Sequence, residues 1–152
     1  MRLAATLVSI IIFLSYSCNS RNDDFTTLRL ELFTSDMQKS VDFYTGILGF
    51  QMEGKKINSA YQPVKRDNVI LGIGPIGKLG DDHHFKPHLK HMQKGYGVEI
   101  VLEVDDIRSV YEQVKASGYP IHDSLKTQPW GLTDFRLVDP DGYYLRVTSK
   151  QE

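Results

Sequence analysis

The chain has 152 residues and a formal net charge of −1, and 41% of its residues are hydrophobic and 24% charged. This length suits one ordinary domain, or two small halves that share a core. The near-neutral charge argues against a nucleic-acid partner, and the single cysteine, Cys18, excludes an internal disulfide.

The first 18 residues, MRLAATLVSIIIFLSYSC, differ from the rest because an apolar run follows one basic residue, Arg2. The run is short for a membrane span and ends in small residues, as secretory signal peptides do. LSYSC resembles a bacterial lipobox, in which the cysteine is lipidated, although Tyr16 departs from the usual pattern. The sequence predicts a lipoprotein-type signal peptide over 1–18, a polar tether over 19–25, and export to the periplasmic or cell-surface side with a membrane anchor at Cys18. A plain signal peptide or an uncleaved anchor are the alternatives.

The next part of the chain predicts one strand, one helix and three further strands. The alternating stretch TLRLELF is typical of a strand with two different faces. In SDMQKSVDFYTGILGF, Ser35 or Asp36 can cap a helix whose apolar residues recur at helical spacing, and Gly49 can end it. The three following strands are predicted at 50–53, 60–64 and 69–73.

After a loop the same order returns. GPIGKLGDDHHFKPHLKHMQKG has no clean period and predicts a connecting loop with room for one helical turn. GVEIVLEV then predicts a strand, DDIRSVYEQVKASG a capped helix, and YPIHD, WGLTDFRLVD and YYLRVTS three more strands, with a turn at DPDG. Two copies of a β-α-β-β-β unit therefore form an internal repeat.

Three stretches carry a resemblance to a known family: LELFTSDMQKSVDFYTGILGF, EIVLEVDDIRSVYEQVKASGYPI and FRLVDPDGYYLRV. They resemble the vicinal oxygen chelate superfamily, which includes glyoxalase I, bleomycin-resistance proteins, fosfomycin-resistance proteins and extradiol dioxygenases. The resemblance implies an α+β fold in which two paired βαβββ modules form a curved mixed sheet around a cavity. It places the domain at 26–150, with modules at about 26–74 and 97–150 and a linker over 75–96.

Alternation along the strands then assigns the two faces of the sheets. The face toward the helices is predicted to hold Leu28, Leu30, Leu32, Val98, Ile100, Leu102, Leu145 and Val147. The face toward the cavity is predicted to hold Arg29, Glu31, Glu99, Val101, Tyr144 and Arg146.

The resemblance also maps the metal-ligand positions of metal-dependent relatives onto Arg29, Gly72, Glu99 and Arg146. Arginine stays protonated and has no lone pair for a divalent ion, and glycine has no side chain, so only Glu99 could act as a ligand. We therefore expect neither a metal nor a cofactor. Arg29 and Arg146 are expected to flank Glu99, with Glu31 neutralising one of them. Such a cluster can be a structural ion-pair network, or it can leave donors for a ligand.

Other candidate residues lie outside these strands. His83, His84, His88 and His91 crowd the linker and suggest a metal site, but ligand contact by His83 or His84 at the cavity mouth ranks above it. Trp130 is predicted to open the seventh strand near the cavity rim, as an aromatic wall for a planar ligand. Tyr61, Tyr144 and Phe33 are further aromatic candidates.

Two functions follow from these residues, and a metalloenzyme that uses the linker histidines ranks last. The first is a metal-independent small-molecule-binding protein of the glyoxalase/bleomycin-resistance type with an anionic or aromatic ligand. Its predicted site residues are Arg29, Glu31, Glu99, Trp130, Tyr144 and Arg146. The second is a lyase or isomerase that acts on an activated carbonyl compound, as lactoylglutathione lyase does, with Glu99 or Glu31 as general base and an arginine stabilising the oxyanion. A monomer and a homodimer with shared clefts both remain open.

Overall fold

The computed structural model describes residues 26–85 and 93–150. The predicted signal peptide, tether and lipidation site at Cys18, together with His88 and His91, lie outside the described residues. The first sheet contains β1 (Leu30–Thr34), β2 (Gln51–Met52), β3 (Gln62–Arg66) and β4 (Val69–Pro75). The second contains β5 (Glu99–Val104), β6 (Asp123–Thr127), β7 (Thr133–Val138) and β8 (Tyr144–Ser149). Helix α1 (Met37–Asp42) continues as a π-helical turn (Phe43–Ile47), α2 spans Ile107–Ala116, and a short 3-10 helix (Ile76–Lys78) follows β4.

Both sheets have the same topology. The strand orders are β1-β4-β3-β2 and β5-β8-β7-β6. In each sheet the first and last strands of the module pair in parallel, and the other pairs are antiparallel. This confirms the predicted α+β fold of two βαβββ modules. It also makes β1 and β5 edge strands of their sheets.

The helices begin where the sequence places their caps. The carboxylate of Asp36 accepts a hydrogen bond from the Lys39 backbone N–H at 3.2 Å, and Asp106 accepts one from Ser109 at 2.9 Å. Each satisfies a backbone donor that has no partner within its helix. The first helical segment ends before Gly49, whose φ of 71° is a conformation that glycine adopts without strain.

One face of each sheet packs on the helices, with α1 against β4 and α2 against β7 and β8. Of the predicted residues of this face that lie inside strands, Leu30 is partly buried against the core, and the others are buried: Leu32, Ile100, Leu102, Leu145 and Val147. The prediction is wrong for Leu28 and Val98, which are exposed, because they precede β1 and β5 and the alternation of a strand does not extend to them. The other face of each sheet, which we call the open face, carries the polar side chains.

The turn between β7 and β8 joins the two modules. The Tyr44 hydroxyl, fully buried, donates to Asp139 Oδ2 at 2.9 Å. Asp139 Oδ1 accepts from the backbone N–H groups of Asp141 and Tyr143 at 2.9 Å each. Burial raises the pKa of Asp139 and raises that of Tyr44 well above its ordinary value. Asp139, which accepts the inter-module hydrogen bond from Tyr44, is therefore held in position by hydrogen bonds within the turn between β7 and β8.

Asp141 makes the second inter-module contact. Its carboxylate accepts from the Ser35 N–H at 2.8 Å and the Ser40 hydroxyl at 2.7 Å, and it pairs with Lys94. These contacts, like that of Tyr44, join the first helical segment and the residue before its cap to the turn between β7 and β8. Among the described residues, no helix is long and apolar enough to cross a membrane.

Candidate functional site

Four charged side chains meet on the open face of the second sheet. We call Glu99, Asp134, Arg136 and Arg146 the Arg146 cluster. Arg146 Nε lies 3.4 Å from Glu99 Oε2, and Arg136 Nε lies 3.1 Å from Glu99 Oε1. Arg136 Nη1 lies 2.7 Å from Asp134 Oδ1. The strand register explains the meeting, because Arg136 on β7 pairs directly with Arg146 on β8.

The Arg146 cluster is partly buried and incompletely hydrogen-bonded, with the Asp134 side chain 1% and the Glu99 side chain 34% exposed. The side chains of Arg136 and Arg146 are only 12% and 24% exposed. Arg136 Nη1 and Arg146 Nε are within ion-pair distance of carboxylates, but neither makes an aligned hydrogen bond to a described residue. Asp134 accepts from Gln128 at Oδ1, at 2.7 Å, while its buried Oδ2 has no partner among the described residues. The cluster therefore contains three buried polar atoms that lack an aligned hydrogen bond among the described residues.

Sequence reasoning found half of this cluster. The predicted contact between Arg146 and Glu99 is present, and it explains why a half-buried strand carries an arginine. Arg136 and Asp134 were missed, although a signal existed: in TDFRLV, polar residues alternate with Phe135 and Leu137. Applying the alternation to β7 would have placed both charges on the open face.

A separate group forms on the open face of the first sheet. Arg29 Nε lies 2.7 Å from Glu31 Oε1, and the Tyr61 hydroxyl donates to the same oxygen at 2.8 Å. The expectation that Arg29 flanks Glu99 is therefore wrong, and the expected neutralisation of an arginine by Glu31 is present. Arg29 directly precedes β1, and its side chain pairs with Glu31 near the start of that strand. The Arg29 side chain is 57% exposed.

Gly72, at a predicted metal-ligand position, makes room for this group. It pairs with Glu31 across β1 and β4, and a Cβ atom there would lie 2.2 Å from both Glu31 Oε2 and the Tyr61 hydroxyl oxygen. The carboxylate and the phenol thus occupy the space of a side chain at position 72. Partial burial and the hydrogen bond to Glu31 raise the pKa of Tyr61.

A cavity of about 400 Å³ opens beside β1. We call it the β1-edge cavity; its lining includes Glu31, Phe33, His84, Phe85, Tyr96 and Tyr143. The Phe33 ring lies 5.6 Å from that of Phe85 and 5.7 Å from that of His83, both edge-to-face. Of the two described linker histidines, His84 therefore lines the cavity and His83 lies against Phe33, and ligand contact by either stays a prediction.

The two remaining predicted site residues lie apart from these groups. Tyr144 starts β8, and its ring meets that of His122 edge-to-face at 5.4 Å. Trp130 lies in the turn between β6 and β7, three residues before β7 begins, and is 57% exposed. Trp130 does not open the strand as predicted. Its place at a ligand stays a prediction.

The donor set does not fit a divalent metal. At the four mapped positions only Glu99 offers oxygen ligands, and both of its oxygens face guanidinium groups. A divalent ion needs several oxygen or imidazole ligands, and a nearby guanidinium repels it. Within residues 26–85 and 93–150, no group of three His, Cys, Asp or Glu side chains is arranged to hold a metal ion.

Two βαβββ modules with open, charged sheet faces define the class of protein. The chain belongs to the Glyoxalase/Bleomycin resistance protein/Dioxygenase superfamily, whose family model matches residues 26–147.

Several relatives are similar over most of the chain. A probable lactoylglutathione lyase of Vibrio cholerae serotype O1 is 28% identical, with 82% of this chain and 91% of the relative covered. A probable chloroplastic lactoylglutathione lyase of Arabidopsis thaliana is 29% identical over 86% of this chain, which spans only 37% of that protein. Among solved structures, a bleomycin resistance determinant encoded on the transposon Tn5 matches with a TM-score of 0.60 and 23% identity, covering 84% of this chain and 100% of the other.

Proposed function

We propose that the protein binds a small molecule without a metal, at the Arg146 cluster on the open face of the second sheet. The observation that carries the proposal is the set of buried polar atoms without a hydrogen bond: Asp134 Oδ2, Arg136 Nη1 and Arg146 Nε. A buried polar group left without a partner costs about 1–3 kcal/mol, so a ligand that supplies the partner gains binding free energy there.

The chemistry of the cluster favours a ligand with a carbonyl or carboxylate group. A guanidinium presents several N–H donors in a fixed plane and matches such oxygens well. Glu99 and Asp134 balance the two arginines, so the cluster has no formal net charge and a neutral carbonyl compound is also a suitable ligand. A ligand hydroxyl or amide N–H could donate to Asp134 Oδ2.

Two measurements on the purified protein test the proposal. Metal analysis after expression with supplied zinc and nickel is expected to find less than stoichiometric metal. A thermal-shift screen of small carbonyl and carboxylate compounds is expected to give saturable stabilisation, because a ligand of the folded state raises the melting temperature. The stabilisation should be lost in Arg146→Gln and kept in Arg108→Gln, an exposed arginine on α2. A stoichiometric, tightly bound metal, or equal stabilisation of both variants, would contradict the proposal.

We also propose that a second copy of the chain covers the open faces. Apolar side chains on or beside these faces are exposed within one chain: Val101 is 40% and Ile70 37% exposed. The exposed Leu28 and Val98 add to this surface next to the edge strands β1 and β5. Burying such area in a homodimer would remove it from water and enclose the ligand. Sedimentation equilibrium is expected to show a dimer, and a monomer at micromolar concentration would refute it.

A lyase or isomerase is the second candidate, favoured by the lactoylglutathione lyases among the relatives. Of the two predicted bases, Glu31 suits the role better. Both Glu99 oxygens face arginines, whereas Glu31 Oε2 has no hydrogen-bond donor among the described residues. Turnover of an α-keto hemithioacetal that is lost in Glu31→Gln and kept in Glu103→Gln would favour this candidate over pure binding.

Export and lipidation at Cys18 stay predictions from the sequence. Labelling of the full chain with an alkyne fatty acid, compared with Cys18→Ser, would test them.

A further inference from the structure

We infer that the β1-edge cavity is a second ligand site, and that it takes an organic ammonium ion with an aromatic or apolar body. The cavity shares no residue with the Arg146 cluster. Ligand binding at the two sites can therefore be tested separately. Three features support this assignment: the contacts of the Glu31 carboxylate, the aromatic rings that line the cavity, and the pairing of the nearby Arg29 and Lys94 with carboxylates.

The Glu31 carboxylate is held in one orientation. Oε1 accepts from both Arg29 and Tyr61, which fixes the carboxylate in place. Among the described residues the side-chain hydrogen bond to this carboxylate is made at Oε1, whereas Oε2 occupies the space left by the missing side chain of Gly72. Gly72 has no positive φ that would demand glycine. The absence of a side chain at position 72 lets the Glu31 carboxylate pack against β4.

Aromatic rings line the same cavity as Glu31. Phe33, two residues along the same strand face, packs edge-to-face with Phe85. Tyr143 is held against β1, since its hydroxyl accepts from the Phe33 N–H at 3.1 Å. Tyr96 adds a ring that is 80% exposed. Rings beside a carboxylate attract a cation through both the ring quadrupole and Coulomb interaction. A cavity of about 400 Å³ holds a molecule of one ring and a short chain.

The neighbouring cations do not turn the cavity into an anion site. Lys94 lines the cavity, but its ammonium pairs with Asp141, a side chain that is 5% exposed. Arg29 points to Glu31 Oε1 and is itself mostly in solvent. Among the described residues, these two cations are each paired with a carboxylate, and the cavity is also lined by the Glu31 carboxylate. A ligand ammonium is therefore favoured over a ligand carboxylate.

The test uses 2-phenylethylammonium, with 2-phenylethanol and 3-phenylpropionate as neutral and anionic analogues. Titration of the ¹⁵N-labelled full chain, followed by NMR, gives affinities and identifies the resonances that move. The ammonium compound should bind at least tenfold more tightly than either analogue, with shifts at Phe33 and Phe85. Glu31→Gln keeps the shape of the side chain, removes its charge, and should weaken ammonium binding about tenfold.

Three further variants show whether the ammonium ion binds at the β1-edge cavity or elsewhere on the protein. Glu103→Gln removes an exposed carboxylate at a different cavity, of about 370 Å³, and should leave the affinity unchanged. Arg146→Gln should also leave it unchanged, whereas it removes binding at the Arg146 cluster. Gly72→Ala should weaken ammonium binding by displacing Glu31 and Tyr61. Equal affinity in wild type and Glu31→Gln, preference for the carboxylate, or loss of ammonium binding in Arg146→Gln would each overturn the inference.

Discussion

Replacing Tyr44 by phenylalanine should weaken the junction between the two modules. The substitution removes a single hydroxyl group and keeps the ring that packs between Phe43 and Phe50. That hydroxyl donates at 2.9 Å to Asp139 Oδ2 in a buried environment. Asp139 Oδ1 keeps both of its backbone hydrogen bonds in the variant, because they come from the turn itself.

The expected loss at neutral pH is about 2 kcal/mol of unfolding free energy, the usual net value of a hydrogen bond to a charged group. Removing the hydroxyl leaves Oδ2 of a buried carboxylate without a donor, so the loss should not fall to the level of an exposed substitution. For a domain of this size, the loss corresponds to a fall of roughly 6 °C in melting temperature.

The pH dependence has a definite sign. Burial raises the pKa of Asp139 above its ordinary value, so its contribution to stability is fully present below the ordinary carboxyl pKa and is lost as pH rises through the folded value. The Tyr44 hydrogen bond lowers that pKa and limits the loss. In Tyr44→Phe the pKa should rise further. The stability difference from wild type should therefore grow with increasing pH across the titration of Asp139 and shrink in acid.

Urea denaturation at several pH values measures both effects, provided that the slope against urea stays constant. Tyr96→Phe is the matched control, since Tyr96 is 80% exposed. A change below about 0.5 kcal/mol at neutral pH, the range of ordinary surface substitutions, would show that the hydroxyl does not hold the modules together.

Two further predictions concern the charged contacts. Arg136→Ala leaves a buried carboxylate without its partner and should cost about 3–5 kcal/mol, whereas the exposed Arg29→Ala should cost less than about 1 kcal/mol; equal losses in urea denaturation would contradict the burial argument. Burial raises the pKa of Asp141, but hydrogen bonds, above all that from Lys94, outweigh it and hold the pKa below its ordinary value. Its stabilisation should be present above the ordinary carboxyl pKa and lost as pH falls through the lower folded value, so Asp141→Asn should lose stability at neutral pH and show a weaker acid dependence.

The fold could be predicted from the sequence because its signals are local. Helix caps such as Asp36 and Asp106 sit at fixed positions before an apolar period of 3.6, and the DPDG turn has its own chemistry. The same order, found twice, indicated a repeat, and the family resemblance then implied the paired-module fold. Leu28 and Val98 were wrongly predicted to face the helices, because an alternating pattern does not show where a strand begins.

The site was predicted less completely because ion pairing depends on geometry between strands. The sequence placed Arg29 and Arg146 on the faces toward the cavity, and the family resemblance mapped both, with Glu99, onto metal-ligand positions, which suggested Glu99 as a shared partner. The two sheets instead keep their charges apart, so Arg29 pairs with Glu31 and Arg146 with Glu99. The role of Arg136 depends on its direct register with Arg146, which no local pattern encodes.

The amino-acid sequence by itself determined the two βαβββ modules, their caps and turns, and the absence of metal-ligating side chains at three of the four mapped positions. These follow from residue chemistry and from periods that each segment carries alone. Only the tertiary structure decided which carboxylate meets which guanidinium and why position 72 is glycine. Those facts depend on strand register and on side chains that approach across the sheet, where distances of a few ångströms between remote residues set the interaction.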